Sequence, residues 1–188
     1  MKRDIIGKNG KPIGVTPSII LINPKFDHNV GQTIRAASCF GTEQVWFTGN
    51  RIQLDGKKCL PREERMKGYA EVDLIQFDYP FDQFKNATPV AIELTSSSEL
   101  LVDFEHPDNA VYVFGPEDGS IPKVSMKHCH RFVSIPTRHC TNLSAAIYLV
   151  LYDRMLKRHQ SGIEPILHMD DVFKEDRGYY DYKSEAIL

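Results

Sequence analysis

The hydrophobic residues of this chain occur in short runs that are separated by longer and more polar stretches. The runs are rich in β-branched and aromatic residues, and most are continuously apolar rather than alternating. Continuous apolar runs are typical of strands that are covered on both faces of a sheet. We therefore predict strands at residues 18–23, 44–49, 72–77, 89–94, 110–115 and 131–136.

Helix signals occur between the predicted strands. One helix is predicted over residues 30–40, with Asn29 as its N-cap and Gly41 just after its last residue. A second begins at Pro61, and the last extends from residue 142 or 143 to about residue 160. Strands that alternate with helices in this way predict an α/β fold, with a mostly parallel sheet and helices on both faces.

The last predicted helix carries apolar residues on two faces. A helix of this kind is buried on most sides. The second apolar face is covered either by another copy of the chain or by another part of the same chain, and the pattern alone does not decide between them. The two faces consist of Leu143, Ala146, Ile147, Val150 and Leu151, and of Tyr148, Leu149, Tyr152 and Leu156.

Composition restricts the classes of function. The chain has 188 residues, of which 41% are hydrophobic and 26% charged, and its formal net charge of -2 excludes an overall polycation. Any nucleic-acid binding must therefore use a local basic patch. The longest apolar run, residues 143–152, is too short to span a membrane, and residues 1–14 lack the apolar region of a secretory signal.

The cysteines and histidines raise the question of a metal site. The His-Cys-His sequence at 128–130 and the His-Cys sequence at 139–140 combine typical zinc ligands, but their spacing matches none of the usual zinc patterns. Alternation along a strand would also separate the thiol from its two neighbours, so we expect no bound metal. Free thiols in a reducing cytoplasm are expected for Cys39, Cys59, Cys129 and Cys140.

Polar residues are concentrated where three predicted strands end, which is where ligands bind in open parallel sheets. In the first segment, Asn29 and Gly31 lie at a helix start, whose free N–H groups can bind an anion, and Arg35 follows on the helix. The alternative is a capping residue, a packing glycine and a surface charge.

The second segment is a glycine-rich turn, residues 115–119, in which Glu117 could meet a cationic ligand. The third lies between Pro136, which ends a strand, and Asn142 or Ser144, which begins a helix. Either segment alone could be an ordinary turn.

Together the three segments resemble the motifs of the SpoU/TrmH-type RNA ribose 2′-O-methyltransferases of the SPOUT superfamily. The motif N-x-G-x-x-x-R is matched by Asn29, Gly31 and Arg35, and G-x-E-x-x-G is matched loosely within residues 113–122. The resemblance covers about residues 18–162. The third motif, I-P followed by N-x-S-x-A, is matched by Ile135, Pro136, Asn142, Ser144 and Ala146.

The resemblance implies an α/β fold with a deep trefoil knot in its C-terminal part, and S-adenosylmethionine bound in a bent form within that knot. It also implies a homodimer through the last helix, residues 142–160, in which Asn29 and Arg35 lie near the cofactor of the facing subunit. The cofactor contacts it implies are Leu94, Thr95, Gly115, Glu117, Gly119, Ile135, Asn142, Leu143 and Ser144.

The resemblance further implies a catalytic set of Asn29, Arg35, Glu117, Cys140 and Asn142. Cys140 departs from the family, which usually has serine there; a thiol is a similar but weaker donor, and we expect activity to be retained. A guanidinium is a poor proton acceptor, so we assign Arg35 to stabilising negative charge and holding a phosphate.

Residues 50–69 form the local basic patch that RNA binding would require, and a solvated helix face is the alternative. We divide the chain into a basic arm (1–17), a methyltransferase domain (18–162) and an acidic, tyrosine-rich tail (163–188). The prediction is a minimal, catalytic-domain-only RNA 2′-O-ribose methyltransferase acting on tRNA rather than rRNA; the alternative is a non-catalytic dimer that binds RNA or senses S-adenosylmethionine. Besides Arg35, the predicted RNA contacts are Arg51, Lys57, Lys58, Arg62, Arg65 and Lys67.

Overall fold

A sheet of eight strands runs through the residues that the computed structural model describes, which are 4–6, 12–52 and 71–166. The helices are α1 (Asp27–Cys39), α2 (Lys123–Met126) and α3 (Leu143–Gln160), with 3-10 turns at Pro80–Gln83 and Leu101–Asp103. The strands are β1 (Asp4–Ile6), β2 (Ser18–Leu21), β3 (Gln44–Phe47), β4 (Asp73–Gln76), β5 (Thr88–Ile92), β6 (Glu99–Leu100), β7 (Ala110–Phe114) and β8 (Arg131–Ser134).

The strand order is β1-β4-β3-β2-β7-β5-β8-β6. Strand β1 is antiparallel to β4, and the other neighbouring pairs are parallel. The chain moves outward from β2 through β3 to β4 and then crosses to β5, on the far side of β7. The predicted parallel α/β sheet is confirmed, and its direction of winding reverses beside β2 and β7, where a ligand crevice is expected.

The predicted strands are all present; each ends one or two residues earlier than predicted, β4 begins one residue later, and β5 begins one residue earlier. The sequence reading missed β1 and β6, because runs of three and two residues carry too little periodic signal. Part of the predicted N-terminal arm therefore belongs to the sheet. The helix predicted from Pro61 lies outside the described residues.

Both faces of the sheet are covered by apolar side chains. On one face, Ile34 of α1 and Ile147 of α3 join a fully buried cluster with Leu21. On the other, Trp46 and Phe84 pack together, and α2 and the turn at Pro80–Gln83 supply partly buried side chains. The prediction of helices on both faces is confirmed.

Helix α1 ends as predicted but begins differently. Gly41 has a positive φ of 69°, and the N–H of Thr42 donates to the carbonyl of Ala37 at 2.8 Å, which closes a Schellman motif. The helix begins at Asp27, so Asn29 lies inside its first turn. The prediction of Asn29 as N-cap is therefore wrong; Phe26 takes that position and makes no side-chain capping bond.

Helix α3 begins as predicted and is anchored to the sheet by a polar contact that the sequence did not reveal. The side chain of His106 lies between the hydroxyl of Tyr112 on β7, at 2.6 Å, and the carboxylate of Asp153 on α3, at 2.8 Å. Leu149, one helical turn before Asp153, and Tyr152, its direct neighbour, are exposed. The predicted inner face of α3 is thus buried, whereas part of its second apolar face is uncovered in the single chain.

The chain divides into two compact units, Met1–Arg154 and Met155–Leu188, with the division inside α3. The predicted boundaries at residues 17 and 162 stay predictions, as does the trefoil knot. Within the described part of the chain, no helix is long and apolar enough to cross a membrane.

Candidate active site

The carboxyl ends of β5, β7 and β8 lie side by side. Ile92, the last residue of β5, is in register with Phe114 of β7 and with Val133 of β8. Neighbouring strands are about 4.8 Å apart, so the loops that follow these strands start within a short distance of one another. All the cofactor contacts implied by the resemblance fall on these loops or at the start of α3.

The side chain of Asn29 joins the three sequence motifs. It is 1% exposed, and its Nδ2 donates to Oε1 of Glu117 at 2.7 Å. Its Oδ1 accepts a longer hydrogen bond, 3.3 Å, from Nδ2 of Asn142. We call Asn29, Glu117 and Asn142 the polar junction; it brings together segments that are far apart in the sequence.

Glu117 holds the start of α1. Its carboxylate accepts the backbone N–H of Lys25 at 2.7 Å and that of Phe26 at 3.3 Å, in addition to the Asn29 amide. Burial alone would raise the pKa of Glu117, but these hydrogen bonds outweigh it and lower the pKa below its ordinary value. The ionised carboxylate thus holds the backbone of the two residues that directly precede α1, and it is engaged by N–H groups rather than presented to a cationic ligand.

Asn142 has two contacts with different functions. Its Oδ1 accepts the backbone N–H of Ser144 at 2.9 Å and the Ser144 hydroxyl at 2.5 Å, which caps the first turn of α3. Its Nδ2 donates to Asn29. One side chain therefore both starts α3 and links it to α1, and the predicted helix start at this residue is confirmed.

The loop after β7 folds tightly back on itself. A Cβ added at Gly115 would lie 3.1 Å from the backbone nitrogen of Ile121, closer than nearly all real contacts, whereas one at Gly119 would lie 3.7 Å from Pro116. Gly115, where the loop leaves its strand, thus carries no side chain because the backbone of Ile121 occupies that space.

Two polar residues that the sequence reading missed fix these loops. The carboxylate of Glu93 accepts the backbone N–H of Ile121 at 2.8 Å and that of Leu94 at 3.1 Å. The hydroxyl of Ser98 donates to the carbonyl of Glu93 at 2.7 Å and accepts the N–H of Thr95 at 3.0 Å. Glu93 carries no sequence signal, because its contact with Ile121, 28 residues away, exists only in the fold, whereas Ser98 acts within its own loop.

The loops fit a ligand that is partly apolar. Leu94 is 82% exposed, although it lies only two residues after the end of β5, while Ile135 is half-buried and Leu143 is buried. A large aliphatic side chain that faces solvent beside exposed backbone suits the apolar and hydrogen-bonding surfaces of S-adenosylmethionine. These residues therefore fit the cofactor implied by the resemblance.

Arg35 and Cys140, the other predicted catalytic residues, lie outside the polar junction. Arg35 is about 9 Å further along the axis of α1 than Asn29, since each helical residue adds about 1.5 Å. It is half-buried and makes no hydrogen bond or ion pair with residues 12–52 or 71–166. Cys140 is an exposed free thiol in the loop before α3.

Arg51, predicted to contact RNA, is engaged within the chain. Its guanidinium donates two hydrogen bonds to Asp118, at 2.8 and 2.7 Å, and Nζ of Lys25 lies 3.3 Å from the same carboxylate. Arg51 first, and then Lys25, hold the pKa of Asp118 well below its ordinary value. The other predicted contacts, Lys57, Lys58, Arg62, Arg65 and Lys67, lie outside the described residues.

The histidine and cysteine residues around position 129 point in different directions. His128 is exposed and stacks on Phe81 with ring centroids 4.7 Å apart. Cys129 is buried, and burial raises the pKa of its thiol to about 12, which makes it a poor metal ligand. In the described part of the chain, no three or more histidine, cysteine or acidic side chains are grouped to hold a metal ion.

A parallel α/β sheet whose strand ends carry these three linked motifs defines a class, the SpoU-type RNA methyltransferases. The chain belongs to this class: residues 17–152 match the model of the SpoU rRNA methylase family. The family prediction made from the sequence is confirmed.

Known relatives support the same assignment. The tRNA (cytidine-2′-O-)-methyltransferase TrmJ of Methanocaldococcus jannaschii is 27% identical over 177 residues, which cover 85% of this chain and 76% of TrmJ. The SpoU methyltransferase AviRb of Streptomyces viridochromogenes, solved with its cofactor AdoMet, has a TM-score of 0.67 at 15% identity. The match covers 80% of this chain but only 63% of AviRb. The A. aeolicus TrmH/SpoU tRNA modifying enzyme has a TM-score of 0.62 at 20% identity, covering 82% of each chain. These solved structures share the fold.

Proposed function

We propose that this protein transfers the methyl group of S-adenosylmethionine to the 2′-hydroxyl of an RNA ribose, and that its substrate is tRNA. The observation that carries the proposal is the polar junction, in which Asn29 hydrogen-bonds both Glu117 and Asn142 and so joins the three family motifs at one edge of the sheet. Retention of both contacts is expected of a chain that has kept the family's catalytic site.

The choice of tRNA rests on two relatives. TrmJ of M. jannaschii is a tRNA (cytidine-2′-O-)-methyltransferase. A solved structure described as concerned with the 2-OH methylation of C/U34 on tRNA shares the fold, with a TM-score of 0.63 at 20% identity, and the match covers 76% of this chain and 90% of that one.

The loops after β5, β7 and β8 would hold the cofactor. When bound, S-adenosylmethionine supplies a methyl group that is already activated on a sulfonium centre. Leu94 and Ile135 would provide apolar surface, and the main chain at Gly115 and Leu143 would provide hydrogen-bonding groups. Asn142 and Glu117 fix the positions of the two loops on either side.

The remaining requirements are alignment and removal of a proton, because a neutral ribose hydroxyl is a poor nucleophile. Asn29 and Asn142 are held by hydrogen bonds, so they give the site a rigid polar wall. The side chain of Arg35 is a guanidinium, which is a poor proton acceptor, so it is not assigned to take the hydroxyl proton. It would instead stabilise the developing negative charge on the oxygen and hold the adjacent phosphate through its planar fork, while the proton leaves through the phosphate or water.

We further propose that the protein is a cytoplasmic homodimer through α3, with Arg35 supplied to the cofactor site of the facing subunit. Tyr152 is 52% exposed and Leu149 is also exposed on this helix. Phe40, after α1, makes edge contacts with Tyr148 and Tyr152, so the apolar surface extends from α3 to α1. A second copy would cover it, and would place its own α1 beside this surface.

The direct test is incubation of the protein with S-adenosylmethionine labelled in the methyl group and with total tRNA. The expected result is label in dinucleotides that resist alkaline hydrolysis, since a methylated 2′-oxygen cannot attack the neighbouring phosphate. Label in alkali-sensitive products would mean base methylation and would contradict the proposal. Cofactor binding without transfer to tRNA or to rRNA would favour the non-catalytic alternative.

The shared site can be tested by subunit complementation between Arg35→Ala and Asn142→Asp. Each variant alone should be inactive, because every one of its sites lacks one component. A mixture reassembled at random should recover about a quarter of the wild-type rate, since half the dimers are mixed and each contains one complete site. Absence of any recovery from mixed dimers would contradict the shared site. In parallel, Arg35→Lys should lose most of the rate, because an ammonium keeps the charge but not the planar fork.

A further inference from the structure

The segment just before and at the start of α1 presents an aromatic surface to solvent. The ring of Phe26 is 42% exposed and stacks with the ring of His28, with centroids 5.4 Å apart and planes inclined by 24°. Nζ of Lys25 lies 5.3 Å from the centre of the Phe26 ring. We call Lys25, Phe26 and His28 the aromatic step.

The aromatic step is rigidly connected to the polar junction. The backbone N–H groups of Lys25 and Phe26 both donate to Glu117, and His28 directly precedes Asn29. The surface is therefore fixed within one helical turn of the residues that we assign to methyl transfer.

Folding of the single chain does not account for the position of the Phe26 ring. Phe26 belongs to neither of the two buried clusters that cover the sheet. Although it occupies the N-cap position of α1, its side chain makes no capping bond, and a serine or aspartate would serve that position better. An exposed aromatic ring beside a cation is instead the surface on which unpaired RNA bases stack.

The charges around the aromatic step leave room for a phosphate. Lys25 contacts Asp118, but that carboxylate is already neutralised by two hydrogen bonds from Arg51. The carboxylate of Asp27 accepts the N–H of His28 at 2.8 Å, at the positive end of the helix. The ammonium of Lys25, whose side chain is 42% exposed, can therefore contact an RNA phosphate while an adjacent base stacks on the rings.

We propose that the aromatic step binds an unpaired nucleotide of the substrate RNA next to the methylated ribose, by stacking its base on the outer face of the stacked Phe26–His28 pair and contacting its phosphate with Lys25. The inference rests on the proposed function, because it names a further part of the same RNA site. It assigns substrate affinity, rather than the chemical step, to residues outside the three family motifs.

The test compares Phe26→Leu, which keeps apolar bulk but removes the aromatic face, with Phe26→Trp, which enlarges that face. Leucine should raise KM for total tRNA about tenfold with kcat unchanged, since stacking of one base contributes about 1–3 kcal/mol. Tryptophan should keep or lower KM. Tyr79→Leu is the matched control. Tyr79 is also an exposed aromatic residue, but it follows β4, which is two strands away from β2. The KM of this variant for total tRNA should equal that of the wild type.

Three results would overturn the inference. One is a wild-type KM in Phe26→Leu. Another is an equal rise of KM in the leucine and tryptophan variants, which would indicate a loss of local structure rather than of stacking. The third is dissociation of the Phe26→Leu dimer in sedimentation experiments, which would assign the ring to a contact between subunits.

A binding measurement separates this inference from the proposed function. A short single-stranded RNA containing 2-aminopurine should be quenched on binding to the wild type, and bound about tenfold more weakly by Phe26→Leu. If the wild type transfers no methyl group but shows this difference, the proposed activity fails and the stacking surface stands. If methyl transfer occurs and the two proteins bind the RNA equally, only the stacking surface fails.

Discussion

Glu117 and Asp118 are neighbours in one turn, yet they connect it to the rest of the molecule in different ways. Glu117 contacts the buried amide of Asn29 and the start of α1. Asp118 pairs with Arg51 and Lys25, and its side chain is 45% exposed. Hydrogen bonds to a buried group are costly to lose, because the remaining partner is left unsatisfied, whereas water and salt can replace an exposed ion pair.

The difference indicates which contacts fix the geometry of the site. The turn after β7 is positioned mainly by Glu117 and the polar junction, and Asp118 adds an adjustable contact at the rim. A rigid centre suits the alignment that methyl transfer requires. An exchangeable ion pair at the edge suits contact with a polyanion, because an RNA phosphate could compete with Asp118 for Arg51.

The largest expected effect comes from Asn29→Asp. The new carboxylate would lie where the Asn29 amide donates to Glu117 at 2.7 Å, so a hydrogen bond is replaced by repulsion between like charges. The free energy of unfolding should fall by about 2 kcal/mol, and methyl transfer should fall by about a hundredfold. Urea denaturation and initial rates measure the two effects.

Asn109→Asp is the control for this substitution. Asn109 also links two segments through its side chain, since it donates to the carbonyl of Asn86 and contacts Thr88, but it lies at the opposite edge of the sheet. It should lose stability without losing kcat. An equal loss of kcat in both variants would mean that the polar junction has no special role in the site.

An intermediate effect is expected for Glu117→Gln, and it should depend on pH. The pKa of Glu117 is lowered by folding, so ionised Glu117 stabilises the native state above its ordinary pKa, 4.5, and this stabilisation is lost as the pH falls through the lowered value. At pH 7 the glutamine variant should be less stable by about 1 kcal/mol, and the difference should shrink steadily below pH 4.5.

Glu105→Gln removes an exposed carboxylate and provides the comparison, and its stability should change less at pH 7 than that of Glu117→Gln. A Glu117→Gln deficit that is the same at pH 7 and at pH 3 would show that the charge of Glu117 does not hold the start of α1.

The smallest effect on stability is expected for Arg51→Ala, because its partner Asp118 is exposed and can be hydrated. The melting temperature should change little. KM for RNA should rise modestly and depend less steeply on salt, since one phosphate contact is lost. Asp118→Asn should do the opposite and lower KM, because it frees Arg51. A KM that moves in the same direction in both variants would contradict competition between Asp118 and phosphate.

The sequence predicted the parts of this structure that depend on local pattern. The parallel strands follow from continuous apolar runs such as 110–114, and the end of α1 follows from Gly41, which takes the positive φ expected just after a helix. The start of α3 follows likewise from Asn142, whose capping bond reaches only two residues along the chain.

The contacts that could not be predicted join residues far apart. Asn29 is a residue type that often caps helices, but it lies inside α1, where its Nδ2 donates to Glu117, 88 residues later, and its Oδ1 accepts from Asn142. The sequence predicted Arg51 to be a cation available to RNA, because its partner Asp118 is 67 residues away. A one-dimensional pattern identifies residue types suited to a site, whereas their pairing depends on which strand ends the topology places side by side.

The most direct test of the account is kcat for methyl transfer in Asn142→Asp. Aspartate caps helices as well as asparagine does, so α3 should remain folded, but it cannot donate to Oδ1 of Asn29. Rotating the Asn29 amide would not help, because its oxygen would then face Glu117. The account predicts a loss of about a hundredfold in kcat with a stability cost below about 1 kcal/mol. A folded variant with the wild-type kcat would contradict the claim that the three motifs form one catalytic site.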